Sequence, residues 1–137
     1  MDSVIFTAAL RLLSRREHSQ RELQRKLSRK GFIQSDIQAT LDQLATENLQ
    51  SDLRFTEAYV RYRAQAGFGP LRIIAELQER GVSRELIDQA VDLHSSTWED
   101  RKIQALEKKF SAIDRESSDP RKRQQQYRFL LYRGFVA

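Results

Sequence analysis

Apolar residues along this chain recur at the three-and-four spacing of amphipathic helices, not at the alternation of strands. Ile5, Ala8, Ala9, Leu12 and Leu13 make the first stripe, Leu23 and Leu27 the second, and Ile37 and Leu41 the third. The second stripe closes on Lys30-Gly31-Phe32, and the arrangement then returns. Ile73 and Leu77 stand eight and four residues before Gly81, and Ile87 and Val91 six and ten after it. A third copy closes on Arg133-Gly134-Phe135, with Leu130 in one apolar slot and the polar Gln126 in the other. The three glycines lie 50 and 53 residues apart. Repetition on this scale marks stacked modules, whose working surface is extended and not a single pocket.

The pattern predicts eight helices, at about 3–15, 20–30, 36–48, 53–66, 70–80, 84–95, 97–112 and 120–133, with 114–119 a polar loop. Capping boxes are expected at Ser19 with Glu22, Ser35 with Gln38 and Ser96 with Glu99. Ser83 and Asp119-Pro120 read as further helix starts, and Gly67-Phe68-Gly69-Pro70 as a turn with Pro at the first helical position. Phe55, Ala58, Tyr59 and Tyr62 form one stripe on the fourth helix, a pattern that reads as core. The fold class is therefore all-α: tandem three-helix repeats in an elongated, curved array, the third incomplete. The expected divisions are residues 1–52, 53–96 and 97–137, the last with two helices. Without a further helix, Leu130, Leu131 and Phe135 would lack a partner, so this end is expected to be the least stable.

Composition agrees with helix. The 137 residues include only five Gly and two Pro, and 31% are charged. There is no cysteine, no apolar run of membrane-spanning length and no export signal at the start, so a soluble cytoplasmic protein is expected. The net charge of +5 hints at a polyanionic partner. Most of the excess is C-terminal, where residues 97–137 carry 10 basic and 6 acidic groups.

Few chemistries survive. His18 and His94 lie outside metal-ligand spacing, the Gly67-Phe68-Gly69 turn lacks the context of a dinucleotide or phosphate loop, and the acidic residues are spaced as surface ion pairs. No enzyme, metal or cofactor is expected. The basic residues are the candidate site. Arg25, Arg29 and Lys30, with Arg21, lie off the Leu23/Leu27 face. Arg61, Arg63 and Arg72 surround the Gly-Phe-Gly-Pro turn. Lys108, Lys109, Lys122, Arg123 and Arg128 make the C-terminal third the most positive. Either these groups solvate helix surfaces and complement helix dipoles, or they face phosphate.

The segments Ser19-x-x-Glu22-Leu23-x-x-Lys26-Leu27 to Gly31-Phe32, then Phe55, Tyr59 and Arg63, make a combination specific in order and spacing. Gly67-Phe68-Gly69-Pro70-x-x-Ile73-x-x-Glu76-Leu77 to Gly81-Val82, and Arg128 to Phe135, complete it. Over essentially its whole length the chain resembles RecX, the regulatory protein of the bacterial recombinase RecA. The resemblance implies a non-enzymatic monomer that docks on the RecA–DNA filament, touches single- or double-stranded DNA weakly and limits filament assembly, ATP hydrolysis and strand exchange. Family members usually continue past the third Gly-Phe into a last helix, which is not seen here. The alternative is a free-standing helix-turn-helix DNA binder. It is weakened by Asp36 to Asn48, a stretch without Lys or Arg that would repel phosphate.

Overall fold

The computed structural model describes residues 3–136. Among these, nine helices and no strands occur: α1 (Ser3–Arg15), α2 (Gln20–Arg29), α3 (Gln34–Thr46), α4 (Asp52–Gln65), α5 (Pro70–Glu79), α6 (Arg84–Ala90), α7 (Ser96–Lys109), α8 (Ala112–Glu116) and α9 (Pro120–Arg133). Contacts divide the chain into two compact units, Met1–Tyr59 with Leu77–Ile87, and Val60–Glu76 with Asp88–Ala137.

In the first unit the expected stripes meet. Ile5 and Ala9 of α1, Leu23 and Leu27 of α2, and Ile37, Leu41 and Leu44 of α3 are buried together, with Ala8, Leu12, Leu13 and Phe32 packed against them. Burying a side chain of this size stabilises by about 1.5–3 kcal/mol, so the stripe positions dominate the unit's stability. The start of α2 is fixed locally. Ser19 Oγ accepts from Glu22 N–H at 3.1 Å while Glu22 Oε1 accepts from Ser19 N–H at 3.1 Å, the expected capping box. Asp52 Oδ1 receives the neighbouring Gln20 N–H at 2.9 Å and Gln50 Nε2 at 2.9 Å, tying the start of α4 to that of α2.

The start of the C-terminal α9 is capped as expected by Asp119, whose side chain accepts from Arg121 N–H at 2.9 Å with Pro120 following. Its end, Gly134, has φ 91°, a left-handed conformation that glycine adopts without the steric cost of a Cβ.

Several expectations are corrected. The segment read as a loop contains α8, a helix of five residues capped by Ser111 and too short to show a period. Helix α6 stops at Ala90, about one turn early, because Asp92 Oδ1 takes the His94 N–H at 3.0 Å and closes a turn there. Helix α3 begins at Gln34 after Ile33, which makes no side-chain cap bond, so Ser35 already lies inside the helix and its capping box does not form. The cap of α7 is Ser95, accepting from Thr97 N–H at 3.3 Å, not Ser96. Tyr62 leaves the stripe on α4: it is 67% exposed while Phe55 is buried and stacks at 5.5 Å on Tyr59. Leu131 is exposed as anticipated, but Leu130 and Phe135 are buried and do not lack cover.

Candidate nucleic-acid interface

In the first unit, α2 turns Leu23 and Leu27 inward and leaves Arg21, Arg25, Arg29 and Lys30 on the exposed side. Arg25 and Arg29 line a groove of about 190 Å³ with Lys26 and Arg80, alongside Glu22 and Glu79. Arg80 was not singled out from the sequence as a site residue, although its position before the repeat glycine was the available signal. It stacks 4.9 Å from the Tyr59 ring centroid and reaches Glu22 at 3.7 Å. Glu22 also receives Arg16 at 3.1 Å. Burial alone would raise its carboxyl, but the Arg16 and Ser19 hydrogen bonds outweigh it and hold Glu22 below its ordinary value.

Behind the groove His18 is fully buried. Its Nδ1 lies 3.0 Å from Arg16 O and its Nε2 3.0 Å from Lys26 Nζ. An ammonium can only donate, so Nε2 accepts, Nδ1–H donates, and the ring is neutral. Burial pushes His18 below its ordinary value and, as the largest influence, does the same to Lys26. His18, outside metal-ligand spacing in the sequence, is thus packed within the first unit.

In the second unit the arginines around the Gly-Phe-Gly-Pro turn separate. Arg61 is exposed. Arg63 is bound in bidentate fashion to Glu76, Nε to Oε1 at 2.9 Å and Nη2 to Oε2 at 2.8 Å, and its guanidinium lies 3.8 Å from the Phe68 centroid. Arg72 reaches the same Glu76 at 3.4 Å, stands 4.5 Å from Phe68, and donates through Nη1 to Tyr132 O at 3.1 Å. Arg133 completes the cluster 5.1 Å from Phe68. A planar guanidinium held by a carboxylate and an aromatic face gains from both, so Arg63 and Arg72 have internal work that sequence spacing did not reveal.

Of the C-terminal cations, Arg123 and Arg128 are exposed on α9, and Lys108 and Lys109 are exposed at the end of α7. Lys122 is paired with Asp114 at 2.9 Å; that carboxylate raises Lys122, and Lys122 lowers it in turn. Lys108 and Lys109 join Arg101 and Arg133 in the wall of a cavity of about 310 Å³. Arg101 and Phe129, also in that wall, were not site candidates from the sequence, although Phe129 falls in the Arg128 to Phe135 segment that carries the resemblance. Among the described residues no group of three or more His, Asp or Glu could hold a metal ion. Among the same described residues no helix is long and apolar enough to cross a membrane.

Residues 6–44 match the first three-helix domain of RecX, and residues 51–91 match its second three-helix domain. The regulatory protein RecX of Pseudomonas putida strain W619 is 45% identical over 127 residues, 93% of this chain and 80% of that one. The regulatory protein RecX of Legionella pneumophila strain Corby is 44% identical over 130 residues, 95% of this chain and 85% of that one. The chain belongs to the RecX family. Its fold is also that of RecX crystal structures. The Lactobacillus salivarius protein gives a TM-score of 0.81 at 24% identity, covering 98% of this chain and 88% of that one. Another regulatory protein RecX gives 0.84 at 20% identity, covering 98% and 68%. The tandem three-helix domains expected from the repeat are thus those of RecX, an all-α fold. For the helix-turn-helix alternative, α3 contains no basic residue and exposes Asp36 and Asp42, as read from the sequence, whereas α6 opens on the exposed Arg84.

Proposed function

We propose that this chain is a non-enzymatic, cytoplasmic regulator of recombination that binds the RecA–DNA filament as a monomer and restrains its assembly, ATP hydrolysis and strand exchange. The observation carrying this reading is membership of a family whose members are named regulatory proteins. The distribution of basic groups supports it. Arg25, Arg29 and Lys30 on α2, Arg61 on α4, Lys108 and Lys109 on α7, and Arg123 and Arg128 on α9 are exposed. They are available to phosphate, whose neutralisation releases counterions and makes binding salt-dependent. Arg63, Arg72 and Lys122 already hold carboxylates, and in this reading they maintain the surface more than they touch DNA. A charge of only +5 suits a contact shared between protein and DNA, not autonomous tight DNA binding.

The test is RecA's DNA-dependent ATPase and strand exchange with increasing amounts of this protein. Both should fall as the protein saturates the filament. Rates that stay unchanged at saturation would refute the reading.

A further inference from the structure

We infer that the cavity in the second unit is a binding site for one nucleotide, its phosphate held by Lys108 and Lys109 and its base laid against Phe129. The cavity exists because small residues line one side. Ala64 near the end of α4, Ala66 and Gly67 just past it, and Ala105 of α7 are all among the lining residues. The charged part of the wall is Arg101, Lys108, Lys109 and Arg133, with no carboxylate among the lining residues.

Helix-end electrostatics explains part of this charge. Arg101 Nη1 donates to Ala64 O in the last turn of α4 at 3.2 Å and Arg133 Nη1 to Gly67 O in the following turn at 3.4 Å, so both guanidiniums already satisfy backbone carbonyls. Lys108 and Lys109 complement the C-terminal dipole of α7 but make no ion pair among the described residues. Two unmatched ammoniums at a concave wall that already holds two guanidiniums make a local anion trap, and phosphate is the anion that several cations together favour.

The ring narrows the ligand class. Phe129 lines the cavity, packed perpendicular to Phe110 with centroids 5.4 Å apart and with the Arg133 guanidinium over its ring 5.0 Å from the centroid. An aromatic face beside a phosphate cradle is how nucleotide units are held without sequence preference. The volume of about 310 Å³ sits at the lower end of the roughly 300–1,000 Å³ of small-molecule sites, room for one nucleotide and little more. The nucleotide is either free or the end of a strand. This goes beyond the filament reading and does not depend on it.

The experiment uses the full chain without recombinase. AMP and inorganic phosphate are titrated by calorimetry, and a 5′-phosphorylated, fluorescein-labelled trideoxynucleotide by anisotropy. The proteins are wild type, Lys108→Gln with Lys109→Gln, Phe129→Leu, and an Arg11→Gln with Arg15→Gln control that removes the same charge from exposed positions on α1. Circular dichroism establishes that each is folded. Loss of about tenfold or more in the lysine variant is expected, as removal of charged hydrogen bonds requires, with a smaller loss in Phe129→Leu and none in the control. This pattern for AMP marks a free-nucleotide site, and the pattern for the trinucleotide alone marks a strand-end site. Equal loss in the control, inorganic phosphate binding as tightly as AMP and the trinucleotide, or no binding of any probe would overturn the inference.

Discussion

The joint at Gly81 in the first unit and the joint at Gly134 in the second are the same device fastened in two ways. In each, the turn ending one helix is set against the start of another. At Gly81 the fastening is made by side chains: Ser19 Oγ donates to Arg80 O at 2.8 Å, Arg80 reaches Glu22, and Arg21 covers the glycine. At Gly134 it is made largely by backbone: Gly69 N–H donates to Arg133 O at 2.7 Å and Leu71 N–H to Gly134 O at 2.9 Å. The second joint therefore satisfies two free amides at the start of α5 with carbonyls at the end of α9, two sets of groups that helices leave orphaned. The lesson is about tolerance. Side chains can swing aside, whereas backbone packed on backbone cannot, so equal changes at the two joints should have unequal costs.

The largest effect is expected at Gly69. A Cβ there would stand 2.5 Å from both the carbonyl carbon and oxygen of Gly134, so Gly69→Ala must part the two backbones. It should cost about 3 kcal/mol, the upper end for overpacking, read from the urea midpoint. Loss of hydrogen-exchange protection at Leu71 would mark the joint as the part that opens.

Gly134→Ala should follow. It adds a left-handed alanine, about 1–2 kcal/mol, to a clash with the backbone and Cβ of Arg72. Gly81→Ala carries a similar conformational cost at φ 81°, and of its Arg21 neighbours Nε at 2.6 Å can swing away while Cβ at 2.8 Å yields only if α2 shifts, with no backbone atom of another segment as close. The comparison breaks if Gly81→Ala proves the more damaging of the two.

Ser19→Ala should be milder, about 1 kcal/mol for a lost cap, with an addition from the bond to Arg80 O that no N-cap scale includes.

The smallest effect is acid sensitivity confined to the first joint. His18 titrates below 6.5 when folded, so the unfolded chain holds more protons there. Its contribution is complete above about 6.5 and is lost progressively as pH falls from there through the lower folded value. Glu22, held below 4.5, adds a second loss as pH falls below that value. Near pH 6 the thermal midpoint should already decline with acid, and His18→Gln should flatten the decline. Amides at the Gly134 joint should keep their protection over the same interval.

These joints also show what a single sequence can carry. The helix stripes, the Ser19–Glu22 box, the Asp119-Pro120 start and the repeat glycines are local signals, and each was legible because a few neighbouring residues decide it. What escaped was set by competition or by distance. Ile33 precedes α3 despite a good serine two residues on, and Asp92 ends α6 early. The site followed the same division. That Arg63 and Arg72 were basic residues near a turn could be read directly. That Arg63 shares Glu76 with Arg72, and that both lie over Phe68, follows only from tertiary packing. Likewise Arg101 and Phe129 join Lys108 and Lys109 only because α4, α7 and α9 meet.

The central functional claim is that exposed cations serve a filament while the buried or paired ones serve the fold. Co-sedimentation with RecA-coated single-stranded DNA, with bare DNA as the control, tests it most directly. The wild-type chain should be retained on the coated filament more strongly than on bare DNA. Arg25→Glu with Arg29→Glu should weaken that retention without moving the urea midpoint, whereas Arg63→Glu should lower the midpoint. Equal retention on coated and bare DNA, or retention untouched by Arg25→Glu with Arg29→Glu, would contradict the account.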